Sequence, residues 1–120
     1  DWNYHFNPRY AKDDVRSAAG IVALNERPND LIVIPIVHEV FGHYYEGPNA
    51  IRVIYPAHLG AEKLGERIEG LFEAHPRIWY VRSRHWDQDP DDLMVEALST
   101  RGSLVESWEL PGIKLMLYSK

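Results

Sequence analysis

Hydrophobic positions along the chain follow two rhythms. Val15, Ala18, Ala19 and Val22 recur at i, i+3, i+4 and i+7, which predicts a helix with one apolar stripe from Asp13 to about Asn25. Lys12-Asp13-Asp14 sets acid at the positive end of that helix's dipole. Arg27-Pro28-Asn29-Asp30 reads as a turn, because proline and Asx residues favour reversal. Leu31-Ile32-Val33-Ile34 is a continuous apolar run dominated by β-branched residues, and it predicts a strand buried on both faces. A second helix is expected over His38 to Tyr45, ending at Gly47-Pro48, and a second strand over Ile51 to Tyr55. Glu62 to His75 carries Leu64, Ile68, Leu71 and Phe72 on one helical face. Arg77 to Arg82 predicts the third strand, with Ile78-Trp79-Tyr80-Val81 at its centre.

Asp89-Pro90-Asp91-Asp92 opens a fourth helix, with Asp89 as a cap and Pro90 at the first helical position, and Gly102 closes it. Leu104 to Leu110 and Ile113 to Tyr118 are two strands turned by Pro111-Gly112, hence antiparallel. The order is α-β-α-β-α-β-α-β-β. Alternation of this kind predicts a three-layer α/β domain with a mostly parallel, doubly wound (Rossmann-like) sheet. About five strands are expected, ending in an antiparallel hairpin at one edge. Right-handed crossovers follow from strand twist.

Composition narrows the class. The 120 residues suit one domain, 1–120, in which residues 1–10 read as a linker or membrane-proximal segment. That segment carries Trp2, Tyr4, Phe6 and Tyr10. With 45% hydrophobic and 26% charged residues the chain is globular, and no apolar run approaches the ~20 residues of a membrane span. Its first residue is Asp1 rather than methionine, so the chain is expected to be part of a longer protein. A net charge of −5 argues against nucleic acid or anionic lipid as a partner. The absence of cysteine excludes disulfides, thiolate catalysis and Cys-type zinc sites, and fits either side of a membrane.

Three motifs invite chemistry and fall short of it. His38-Glu39-Val40-Phe41-Gly42-His43 has its histidines five apart rather than four, which turns the second roughly 140° from the first. Asp87, Asp89 and Asp91 alternate like the start of a calcium loop, but Asp92 and Leu98 stand where glycine and glutamate are required. Gly60 to Gly65 has phosphate-loop spacing, yet Glu66 and Arg67 follow in place of lysine and a hydroxyl residue. No serine sits in a G-x-S-x-G elbow. No catalytic residue, metal ligand set or cofactor is assigned.

Ligands of open α/β sheets bind beyond the carboxyl ends of the strands. There the predicted strands deliver His38 and Glu39, then His58, then Arg84, His85, Trp86 and Asp87. These residues form a candidate polar site for a sugar, a phosphate or a metal ion; the plain alternative is that loops expose polar residues anyway. Phe41, Tyr44 and Tyr45 at helical spacing read first as core packing, with Tyr44 or Tyr45 as a candidate ring for stacking on a sugar.

The stretch Phe6-Asn7-Pro8-Arg9-Tyr10-Ala11-Lys12-Asp13-Asp14-Val15-Arg16-Ser17-Ala18-Ala19 resembles the start of a known domain type. That type is the C-terminal extracytoplasmic domain of GT-C membrane glycosyltransferases of the dolichyl-phosphate-mannose protein mannosyltransferase kind. Pro28-Asn29-Asp30-Leu31-Ile32-Val33 is similar to the family's "proline-glycine-aspartate, then strand". Phe41-Gly42-His43-Tyr44-Tyr45 resembles its aromatic helix, and Arg77-Ile78-Trp79-Tyr80-Val81 its "arginine, aliphatic, tryptophan, aliphatic" strand. The likeness runs from Phe6 to Val81 and fades in the last third. Asn29 departs from the usual glycine, and Val15 stands where tryptophan is frequent.

What the resemblance implies is a domain on the extracytoplasmic face of a membrane, packed over the membrane-embedded part of its own chain. The complete enzyme would transfer a sugar from a polyprenyl-phosphate donor to a lipid or protein acceptor. Its catalytic carboxylate would lie in an upstream loop, so this chain would be inactive alone and would assist acceptor binding. The competing expectation is a stand-alone small-ligand binding module, or a small α/β hydrolase, using the His38, His58 and His85 edge.

Overall fold

Helix α1, Val15–Asn25, begins where Asp14 Oδ1 accepts a hydrogen bond from the Ser17 backbone N–H at 3.1 Å. It is the first element of a computed structural model that describes residues 14–34, 39–83 and 92–120. The elements that follow are β1 Leu31–Ile34, α2 Glu39–Tyr44, β2 Ala50–Val53, α3 Pro56–Ala74, β3 Arg77–Ser83, α4 Leu93–Arg101, β4 Ser103–Leu110 and β5 Ile113–Ser119. This is the order expected from hydrophobic periodicity, with element ends shifted by one or two residues except at the starts of α3 and α4. Helix α3 starts at Pro56, six residues before Glu62, because a first turn precedes a kink at Gly60 (φ 80°, ψ 165°). A side chain rarely adopts that conformation, and glycine reaches it freely. Helix α4 starts at Leu93 rather than at the expected Pro90, and Asp92, not Asp89, stands at its N-cap, in the left-handed region that interrupts the helix there; Asp89 and Pro90 themselves lie outside the described residues.

The five strands form one mixed α/β sheet in the order β2-β1-β3-β5-β4. β1 pairs in parallel with β2 and with β3, while β5 pairs antiparallel with both β3 and β4. Four strands therefore run one way, and β5 alone runs against them. The expected C-terminal hairpin is present at one edge. Its second strand is the inner one, and β4 is the outer one, with a bulge between Leu104 and Glu106.

Strand residues alternate between two cores. Leu31, Val33, Ile78, Tyr80, Met116 and Tyr118 pack with Leu64, Ile68, Leu71 and Phe72 of α3 and Met94 and Leu98 of α4. Ile32, Ile34, Trp79, Val81, Leu115 and Leu117 pack with Val15, Ala18, Ala19 and Val22 of α1 and with Phe41 and Tyr45. The continuous apolar run of β1 is the consequence, since each of its four side chains is buried in one core or the other. Among the described residues no helix is long and apolar enough to cross a membrane.

Candidate functional site

The two ends of the parallel strands differ in kind. At the amino ends, Asp30 is 1% exposed and precedes β1. Its carboxylate accepts from Arg77 Nε at 3.1 Å, from Arg77 Nη2 at 2.8 Å, from Trp79 Nε1 at 2.9 Å and from the Arg27 N–H at 2.9 Å. Burial alone would raise the Asp30 pKa. The hydrogen bonds from Arg77, the Arg27 N–H and Trp79, with the charge of Arg77, outweigh burial and hold it below the usual 3.8. Arg77 also donates to the Asn25 carbonyl at 2.8 Å, so α1, β1 and β3 meet at this carboxylate.

Beside it, the Tyr45 hydroxyl donates to Glu26 Oε1 at 2.5 Å and accepts from the Asn49 N–H at 3.0 Å. Asn49 Nδ2 donates to the same Glu26 oxygen at 2.7 Å. Burial, followed by the hydrogen bond to Glu26, pushes the Tyr45 phenol up to about 12. Tyr45 is 6% exposed and its ring stacks on Phe41, so it belongs to the packed core, the first of the two roles its helical spacing suggested. No ring face remains for a sugar. Gly47 lies so close that a Cβ there would sit 2.5 Å from the Tyr45 hydroxyl.

At the carboxyl ends the chain leaves β1 for β2 on one side and later returns to β3 on the other. Open α/β sheets gather ligands where connections part in this way. Of the residues expected there, His38, Arg84, His85, Trp86 and Asp87 lie outside the described residues. Glu39 is the first residue of α2. His58 lies in the first turn of α3, exposed, with its ring stacked on Tyr55 at 5.3 Å between centroids. The described part of this end thus brings His58 to the carboxyl end of β2 and leaves Tyr45 in the core at the opposite end.

Sequence reasoning missed a second set of residues here. Arg82, near the end of β3, donates from Nε and Nη2 to Asp92 Oδ1 at 2.8 and 2.5 Å. Asp92 stands just before α4 in the left-handed region, at φ 52°. Lys114 of β5 lies directly opposite Arg82, and Glu109 of β4 lies directly opposite Lys114, with Lys114 Nζ and Glu109 Oε1 3.9 Å apart. The only advance signal was the position of Arg82 at a strand end. Among the described residues no group of three His, Asp or Glu side chains could hold a metal ion.

No family model matches this chain. No curated protein matches it either.

Proposed function

We propose that this chain is the extracytoplasmic domain of a membrane glycosyltransferase of the GT-C kind. It is non-catalytic by itself and assists acceptor binding for a complete enzyme that uses a polyprenyl-phosphate sugar. The domain belongs, on this reading, to the three-layer, doubly wound Rossmann-like type, and the separation of its helices between two cores supports that.

One observation carries the reading. The residues that give the resemblance are far apart in sequence, yet Asp30, Arg77 and Trp79 of two separate motifs meet at one buried carboxylate. A likeness made of chance identities has no reason to converge in space. The departure at Asn29 has a physical explanation: its φ is 71°, a conformation natural to the glycine of the family pattern and tolerated by asparagine.

The test uses the complete reading frame. Expressed in membranes with a labelled polyprenyl-phosphate sugar and an acceptor, the whole protein transfers sugar, and residues 1–120 alone do not. Turnover by the isolated chain, or a reading frame without about ten apolar helices of near 20 residues, sinks the proposal.

The parting of connections at β1 favours a second reading, a small-ligand binding module working at the His58 edge. Saturable sugar binding by the isolated chain that is lost in His58→Ala would favour this reading over the first.

A further inference from the structure

Arg82, Lys114 and Glu109 form one rung across β3, β5 and β4, on the sheet face that carries α3 and α4. Asp92, at the start of α4, reaches the rung from its Arg82 end. Two cations directly opposite on an antiparallel pair repel each other. Among the described residues Asp92 pairs with Arg82 and Glu109 with Lys114, and neither acid pairs with both cations. All four groups reach solvent: the side chains of Arg82 and Lys114 are 30% and 39% exposed, and the two acids more so. The rung lies at the carboxyl end of β3, the end at which open α/β sheets take ligands.

The chemistry of the rung selects an occupant. Carboxylates already serve each cation singly. A phosphate monoester carries close to two charges on three acceptor oxygens, so one group can answer both cations. The guanidinium offers it a fork of donors and the ammonium a point charge. Asp92, about half exposed, loses little on returning to water.

We propose that Arg82 and Lys114 form a binding site for a phosphate monoester, which displaces Asp92 from Arg82 on entry. This goes beyond the transferase reading and does not require it. The same phosphate chemistry could belong to a free ester or to a polyprenyl-phosphate carrier.

The test is a nuclear magnetic resonance titration of the chain at constant ionic strength, with inorganic phosphate, methyl phosphate and farnesyl phosphate, following the Arg82 side-chain Nε–H. Saturable shifts are expected. Asp92→Asn removes the competing carboxylate and tightens binding ~3-fold or more, while Arg82→Gln and Lys114→Gln each weaken it ~10-fold. Lys114→Gln leaves the Arg82–Asp92 pair in place, so loss of binding there is separate from loss of fold. Equal shifts with chloride, binding retained in both Gln variants, or no tightening in Asp92→Asn would overturn the proposal. Tighter binding of farnesyl than of methyl phosphate supports the site with a lipid carrier as its source, and equal binding supports it with a soluble ester. Neither result depends on sugar transfer by the complete protein, which is a separate assay.

Discussion

At the amino ends of the parallel strands, Asp30 and Arg77 are buried and each answers to several partners. Among the described residues at the carboxyl ends, Arg82, Asp92, Lys114 and Glu109 reach solvent and stand in ion pairs. Asp30 takes four hydrogen bonds from three residues, whereas Asp92 takes two from one. A buried carboxylate must be satisfied completely, because water cannot substitute for a missing donor. An exposed one can exchange its partner for water or for another ion at small cost. The first end is therefore suited to setting strand positions, and the second to exchanging ligands.

The largest expected effect lies at Asp30. Asp30→Ala strands the Arg77 guanidinium and the Trp79 N–H in a buried site, at a cost of about 3–5 kcal/mol by urea unfolding. A loss below about 1 kcal/mol would mean that the amino end is no more demanding than the surface. Gly47→Ala should cost about 1–3 kcal/mol, since its Cβ meets the Tyr45 hydroxyl and Glu26 Oε2 within 2.6 Å. Tyr45→Phe removes one donor and one acceptor and should cost about 1–2 kcal/mol.

The pH dependence sharpens the same contrast. Asp30 has its folded pKa below the unfolded value of 3.8. Its contribution is complete above 3.8 and disappears as pH falls through the folded value. Tyr45 has its folded pKa raised from 10.0 to about 12. Its contribution is complete below 10 and is lost between 10 and 12. Unfolding curves of the wild type and Asp30→Asn should therefore converge in acid, and those of the wild type and Tyr45→Phe in strong base. Arg82→Gln is the smallest case. It should change stability by no more than about 1 kcal/mol, measured in the same urea assay.

The two ends were also unequally legible in the sequence. The β1 run and the spacing of Leu64, Ile68, Leu71 and Phe72 announce their elements, because burial periodicity is a local property. Asp30 and Arg77 stand 47 residues apart, and only the resemblance drew attention to both. The kink at Gly60 was hidden because a glycine carries no sign of its φ, and the apolar periodicity that marks the helix begins only after it. The charged rung was invisible for a different reason. It exists only because β5 inserts between β3 and β4, and strand adjacency is a property of the whole fold. His58, expected just beyond a strand, lies in the first turn of α3, which follows β2. Tyr45 was ambiguous, since a buried phenol and a sugar-stacking one share the same helical spacing.

The interior position of β5 bears on how the protein is made. Its residues Ile113, Leu115, Met116, Leu117 and Tyr118 are buried, and it joins β4 to the rest of the sheet. A nascent chain halted before Ile113 would hold β4 with no neighbour to pair with and both cores unfinished. Folding of the whole sheet must therefore wait until β5, through Ser119, is free to pair with β3 and β4.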